Sequence, residues 1–562
     1  MFRSHRASLM DKPPAPAKVR GMRFTPLLLI AVTATAFAAD GPKPDKPDKP
    51  EKAEKAEKAE KAEKSDKAEN PEKAEGSKDG KDAKDSKESK DSKDSKDTPV
   101  TRHATVTLGG KVIAYKVTTA KLVLKEDEGK ARASIFHISY TRTDLSEAQK
   151  AKRPVLFAFN GGPGSSSVWL HLGILGPKRV DLPGDGTQPP PPPCHVIDNP
   201  ESILDVADLV FIDPVSTGYS RPEKDVKAAE FHGVEEDINS VGDFVRRWIT
   251  EHDRWSSPKF LLGESYGGIR VAGLANHLQS RYGMSINGVV MLSSVLDLRT
   301  LGGGPGDDII YPVYLPVYTS VAHFHGKLKG DRDALIEEAR KFAFGEYSTA
   351  LLQGTELPAD QRAMLAEKLA SFSGIDAAVW LSHDLRIPPN FFEAELLRKE
   401  HKVIGRFDAR VAWGATSPSD EGPDYDPSYS LAQGAFSTAM LDYLSRDLGW
   451  KEEQPYEILT PKVNPWNWNS GRGATNLGDR IAKAMRDNPH LKVMVMCGRS
   501  DLACPGDGIA HTFRHLFELP EAQRSNVSFV HFDGGHMFYL NPPDRIKARG
   551  DLVKFIEGAK GN

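Results

Sequence analysis

Six short runs of apolar and β-branched residues recur along the chain, each closing on a cluster rich in small or polar residues. PVLFAF (154–159) runs into NGGPGSSS, DLVFID (208–213) into PVSTGYS, and KFLL (259–262) into GESYGG. GVVMLSS (288–294) precedes VLDLR, KVMVMCG (492–498) precedes RSDLACP, and VSFVHF (527–532) precedes DGGHMF. Continuous apolar runs bounded by turn signals predict strands buried on both faces. Amphipathic stretches lie between them. In EEDINSVGDFVRRWITEH (235–252), Ile238, Val241, Phe244, Val245 and Ile249 recur at helical spacing. The alternation predicts an α/β fold with a central, mostly parallel sheet. The rhythm stops between about Leu301 and Trp450, where DALIEEARKFAF and FFEAELLRK read as helix. Residues 301–449 are therefore expected to form a largely helical insertion or cap, and residues 100–300 and 450–562 the α/β domain. PPPPP at 189–193 reads as a stiff, extended surface loop.

The N-terminal part follows a different pattern. MRFTPLLLIAVTATAFAAD has a basic start at Arg23, an apolar run from Pro26 to Ala34 and a small-residue cleavage site at Ala36-Phe37-Ala38. Residues 1–39 are expected to be a secretory signal peptide, with Met22 as the true start. The run is short of the roughly 20 apolar residues that span a bilayer. The expectation is an exported chain, periplasmic or secreted, with no stable membrane span after signal removal; an uncleaved anchor is the alternative. Residues 40–99, built of EKA and KDS repeats, hold no apolar side chain larger than alanine apart from proline. Such a linker cannot offset its ordering entropy and should be disordered. Glu51 and Lys55 stand four apart, a spacing that favours transient helix. With near-balanced charge, the linker reads as a solvated spacer rather than a tether to a polyanionic surface.

Composition narrows the chemistry. A net charge of -3 over 562 residues gives no basis for nucleic acid as a partner. Three cysteines (Cys194, Cys497, Cys504) cannot build a disulfide framework, and at least one stays unpaired. No CxxC, HExxH or EF-hand loop appears, so no metal site is expected.

GESYGG contains Gly-x-Ser-x-Gly directly after a strand and before a helix. A sharp strand-to-helix turn exposes the hydroxyl of Ser265, and its small neighbours relieve crowding. A nucleophilic serine needs a base and an orienting acid, which in this arrangement follow in the order Ser, Asp or Glu, His. Asp501 comes just past KVMVMCG and His536 just past VSFVHFDGG, both at carboxyl ends of strands, where open α/β sheets build their sites. His536 alone reads equally as a loop histidine, Asp501 as a helix N-cap, and Asp507 and Asp533 are rival acids. Order and position together select Ser265, Asp501 and His536. The oxyanion hole needs one N–H after the nucleophile, at Tyr266, and one from an earlier loop, for which NGGPGSSS offers Gly162. Serine acyl transfer needs no cofactor, and none is expected.

NGGPGSSS, FIDPVSTGYS, GESYGG, SDLACP and GGHMFYLNPP, in that order, resemble the signature blocks of the serine carboxypeptidase family. The resemblance implies an α/β-hydrolase fold and removal of C-terminal residues from peptides with a free C-terminus. It implies the same roles for Ser265, Asp501, His536, Gly162 and Tyr266. It also implies that Asn160 and Glu264, with Gly161 between the loop residues, bind the substrate's free carboxylate; two carboxyl groups can share a proton when Glu264 is neutral. Met537 and Cys504 fall at positions that flank the site, Cys504 either as a free thiol at the pocket or as an inert buried cysteine. Three positions depart from the family. Ala158 stands where a tryptophan is usual, Ile174 where a second glutamate is usual, and Ser165 where a disulfide cysteine is common. The thinned carboxylate network leaves two other readings open: an esterase or acyltransferase on the same triad, and a non-catalytic envelope binding protein.

Overall fold

The computed structural model describes residues 98–561 except Pro418, Ser470 and Arg472. The expected signal peptide (1–39) and all but the last two residues of the expected linker (40–99) lie outside the described residues.

Each of the six apolar runs forms a strand of one ten-stranded sheet, three more strands precede them, and a two-residue strand, Arg221–Pro222, pairs with the third of these off the main path. The main-path strands are β1 (Val100–Leu108), β2 (Lys111–Lys125), β3 (Ala131–Arg142), β4 (Val155–Phe159), β5 (Asp208–Ile212), β6 (Lys259–Glu264), β7 (Gly288–Leu292), β8 (Lys492–Gly498) and β9 (Val527–Phe532). Their spatial order is β1-β2-β3-β5-β4-β6-β7-β8-β9. From β5 to β9 every pairing is parallel, while β1, β2 and β3 run antiparallel to their neighbours. The sheet is thus mostly parallel with an antiparallel flank.

Successive strand residues point to opposite faces, and both faces are covered. Leu156, Ala158, Leu209, Phe211, Leu262 and Met496 belong to one apolar cluster. Their chain neighbours Phe157, Phe159, Val210, Ile212, Leu261 and Val495 belong to the other. Helix α1 (Val234–Glu251) covers the second face with its apolar stripe, helped by Trp248, whose ring meets Phe157 edge-on at 5.5 Å. Helix α2 (Gly267–Tyr282) lies beside it. The first face is closed by Pro427–Asp442 and the C-terminal helix Pro542–Ala559.

One local expectation needs correction. β9 is not buried on both faces: it is the sheet edge, with β8 as its one neighbour, and Phe529 is 37% exposed. The segment from 301 to 449 is helical over most of its length and divides between two apolar clusters. Residues 310–404 form their own apolar cluster, whereas Pro427–Asp442 packs into the sheet. A small antiparallel hairpin, Lys402–Ile404 with Ala412–Gly414, interrupts the helices, and its loop reaches the site described next.

Candidate active site

β6 ends at Glu264 and α2 begins at Gly267, leaving Ser265 and Tyr266 at the turn. The φ of Ser265 is 63°, in the left-handed region that non-glycine residues adopt at a penalty of roughly 1–3 kcal/mol. Surrounding hydrogen bonds hold it there: Ser265 N–H donates to the Leu292 carbonyl at 3.1 Å, and its own carbonyl accepts from Gly268 at 2.9 Å. The glycines around it are a steric requirement. A Cβ at Gly263 would lie 2.1 Å from the Gly267 carbonyl oxygen.

The loops after β8 and β9 bring acid and base together. His536 Nδ1 is 2.9 Å from Asp501 Oδ2, and both residues are buried. The other oxygen of Asp501 accepts from the backbone amides of Ala503 at 2.8 Å and Cys504 at 2.9 Å, which fixes the carboxylate plane. Burial opposes a charge on His536, but Asp501 outweighs it and holds the imidazole above its ordinary value. His536 Nε2 makes no hydrogen bond among the described residues. The Cys504 thiol lies beside the Ser265 hydroxyl and is pushed up by burial. Cys504 thus stands next to the serine and holds the aspartate through its amide. Met537 follows the base directly and is 7% exposed. The rival acids are engaged elsewhere: Asp507 pairs with Arg340 at 2.7 Å and Asp533 with Arg332 at 2.9 Å.

β4 and β6 are adjacent, so the NGGPGSSS loop lies against the elbow. A Cβ on Gly161 would sit 2.4 Å from Tyr266 N. Gly162 has φ 104°, which only glycine adopts readily. Among the described residues, neither Gly162 N–H nor Tyr266 N–H has a hydrogen-bond acceptor. Glu264, 3% exposed, accepts from the Tyr539 hydroxyl at 2.9 Å, with the Asn160 amide beside it. Burial pushes its carboxyl up to about 7, against the opposing pull of His536, Tyr539 and Asn160. Asn160 Oδ1 accepts from Leu170 N–H at 3.1 Å.

All ten site residues expected from sequence therefore fall around the carboxyl ends of β4, β6, β8 and β9. Sequence reasoning missed four more. Tyr539 stands inside a quoted block, three residues after the base, and was the most legible of them. Arg270 lies one turn into α2; its Nε binds Asp237 at 2.8 Å and its Nη1 the Asn160 carbonyl at 2.5 Å. Arg406 and Phe407 sit in the loop of the 402–414 hairpin. Phe407 packs on His536 at 5.1 Å between ring centroids, and its carbonyl accepts the His536 N–H at 2.5 Å. Nothing in their local sequence marks them.

A strained serine between a parallel strand and a helix, with acid and base on later strand ends, defines an α/β-hydrolase. The structure of Kex1(Δ)p, a prohormone-processing carboxypeptidase from Saccharomyces cerevisiae, shares this fold, with a TM-score of 0.50 and 16% identity over 79% of this chain and 91% of that one. Residues 127–298 match the family model described as serine carboxypeptidase, so the resemblance read from the motifs holds on that segment. The match includes Asn160, Gly162, Glu264, Ser265 and Tyr266; Asp501 and His536 lie beyond it. Serine carboxypeptidase-like 20 of Arabidopsis thaliana is 33% identical over 138 residues, 24% of this chain and 26% of that protein. Pheromone-processing carboxypeptidase KEX1 of Colletotrichum graminicola is 30% identical over 136 residues, 23% of this chain and 19% of that protein. The matched segment thus spans less than a third of these relatives' length.

Proposed function

We propose that the protein is an exported serine carboxypeptidase, hydrolysing the C-terminal peptide bond of peptides with a free carboxylate. Ser265 Oγ gives up its proton to His536 Nε2 and attacks the scissile carbonyl. The N–H groups of Tyr266 and Gly162 receive the developing oxyanion, a contribution worth roughly 10²–10³ in rate per donor. His536, oriented by Asp501, then protonates the leaving amine, and water resolves the acyl-enzyme by the reverse path.

The observation that carries the reading is Glu264. A carboxyl one residue before the nucleophile, buried and raised to about 7, is neutral in mildly acidic solution and can share its proton with a substrate carboxylate. Asn160 stands beside it as a second donor.

A second reading is ester hydrolysis or acyl transfer on the same triad. It is favoured by Ala158 and Ile174, both fully buried and apolar where the family usually places polar-tipped side chains. One experiment separates the two: mass spectrometry of a peptide offered as the free acid and as the amide from pH 5 to 8, with Ser265→Ala as blank. Loss of single C-terminal residues from the acid alone, declining above pH 7, is expected. Equal cleavage of both forms, or of a simple ester only, would favour the second reading.

A further inference from the structure

The hairpin loop between Lys402–Ile404 and Ala412–Gly414 is docked between the two loops that carry the acid and the base. Leu502 N–H donates to the Arg406 carbonyl at 3.1 Å, Ala409 N–H to the Ser500 carbonyl at 2.9 Å, and His536 N–H to the Phe407 carbonyl. Arg406 is fixed on the other side as well, its N–H donating to Asp426 Oδ1 at 3.2 Å. A rigid backbone therefore delivers one cationic side chain to the triad.

That side chain has no hydrogen bond and no ion pair among the described residues. It is half-buried, and its one defined contact is with the Phe407 ring, 5.3 Å from Cζ to the centroid. Arg410, four residues along in the same loop, is by contrast paired to both oxygens of Asp408. The charged and titratable groups that face Arg406 are Glu393, Asp426, Tyr314, Cys504 and His536. Asp426 is already committed to capping the Pro427–Asp442 helix through Ser428 N–H at 2.9 Å. Tyr314 donates its hydroxyl to the Leu502 carbonyl at 3.0 Å. Glu393 is 4% exposed, and burial pushes its carboxyl up to about 8 against the pull of Arg406. Glu393, Asp426, Tyr314 and Cys504 together favour the charge on Arg406, yet none of them is hydrogen-bonded to its guanidinium among the described residues.

A half-buried guanidinium with no hydrogen-bonded partner keeps its donors free, and its planar fork matches a carboxylate with two parallel hydrogen bonds. Its charge acts on Cys504 and on His536, the group that protonates the leaving amine. We infer that Arg406 binds a carboxylate of the leaving residue, doing the work that Ala158 and Ile174 cannot do. The inference rests on the carboxypeptidase reading above. The carboxylate is either the terminal one or that of a C-terminal Asp or Glu side chain, and the substrates below distinguish the two.

The test uses the full chain as wild type, Arg406→Gln and Arg406→Lys. Four peptides are compared, ending in Leu or Glu, each as acid and as amide, with a small neutral ester as a fifth substrate. Fluorophosphonate labelling of Ser265 reports whether each variant is folded. In Arg406→Gln, kcat/KM for the acids is expected to fall about ten- to a hundredfold relative to the ester, the size of one charge-assisted hydrogen bond, and Arg406→Lys is expected to recover part of it. A fall shared by both acids assigns the terminal carboxylate. A fall confined to the Glu-ending pair assigns the side chain. Acids, amides and ester falling in step would show that Arg406 only positions His536, and would overturn the inference. Failure of the parent reading would appear earlier, as equal rates on acid and amide in the wild type, and the inference would fall with it.

Discussion

Glu264 and His536 are near enough to bias each other's protonation, and under the proposed mechanism their shifts set opposite limits on activity. The imidazole is held above its ordinary value, so the base form is lost as pH falls. The Glu264 carboxyl is held up at about 7 by burial, so its neutral form is present below that pH and lost above it. With a free-acid peptide, kcat/KM should rise and then decline through pH 7; with a neutral ester it should rise and level off. Glu264→Gln keeps an uncharged donor at every pH. The expected outcome is loss of the alkaline decline for the free acid, read from the two pH profiles side by side; identical profiles would remove Glu264 from substrate recognition. Gly161 makes a steric prediction. An alanine there would press its Cβ on Tyr266 N and, at 2.7 Å, on the Glu264 carbonyl oxygen, both backbone atoms that cannot move aside. Gly161→Ala should lower kcat/KM by roughly 10²–10³, the worth of one oxyanion donor, with circular dichroism unchanged.

At the scale of elements, Arg270 is the tie between α1, α2 and the loop after β4. Its guanidinium joins Asp237 on α1, accepts no water-facing role at 1% exposure, and lies over the rings of Phe159 at 5.1 Å and Tyr266 at 5.3 Å. Arg270→Ala would strand Asp237 as a buried, unpaired carboxylate. Urea unfolding is expected to show a loss of about 3–5 kcal/mol; a loss below about 1 kcal/mol would mean that the tie contributes little. Elements differed in how much of them the sequence made legible. The six runs of unbroken apolar residues declared themselves because both faces of a parallel sheet are buried. β1 and β2 carry an alternating pattern instead: in β2, Ile113, Tyr115 and Val117 are buried between partly exposed residues. A search for continuous runs passes over such strands. The 402–414 hairpin has three residues per strand, too short for any periodicity, and its role comes from contacts with residues a hundred positions away.

For the whole molecule, the candidate site was legible because its parts fall at strand ends in a fixed order, which a linear reading can follow. Ser265, Asp501 and His536 came from that order and strand-end placement together. Three-dimensional closure was not legible: one segment of the insertion binds both catalytic loops, and Pro427–Asp442 returns to seal a sheet face. Among the described residues no helix is long and apolar enough to cross a membrane. The central claim is that Ser265 is a nucleophile activated by His536 and Asp501. The most direct measurement is labelling of the full chain with a fluorophosphonate, followed by peptide mass spectrometry to map the adduct. The expected result is one adduct on Ser265, absent in Ser265→Ala and slowed at least a hundredfold in His536→Ala. An unlabelled wild type, an adduct on another serine, or equal labelling in His536→Ala would contradict the account.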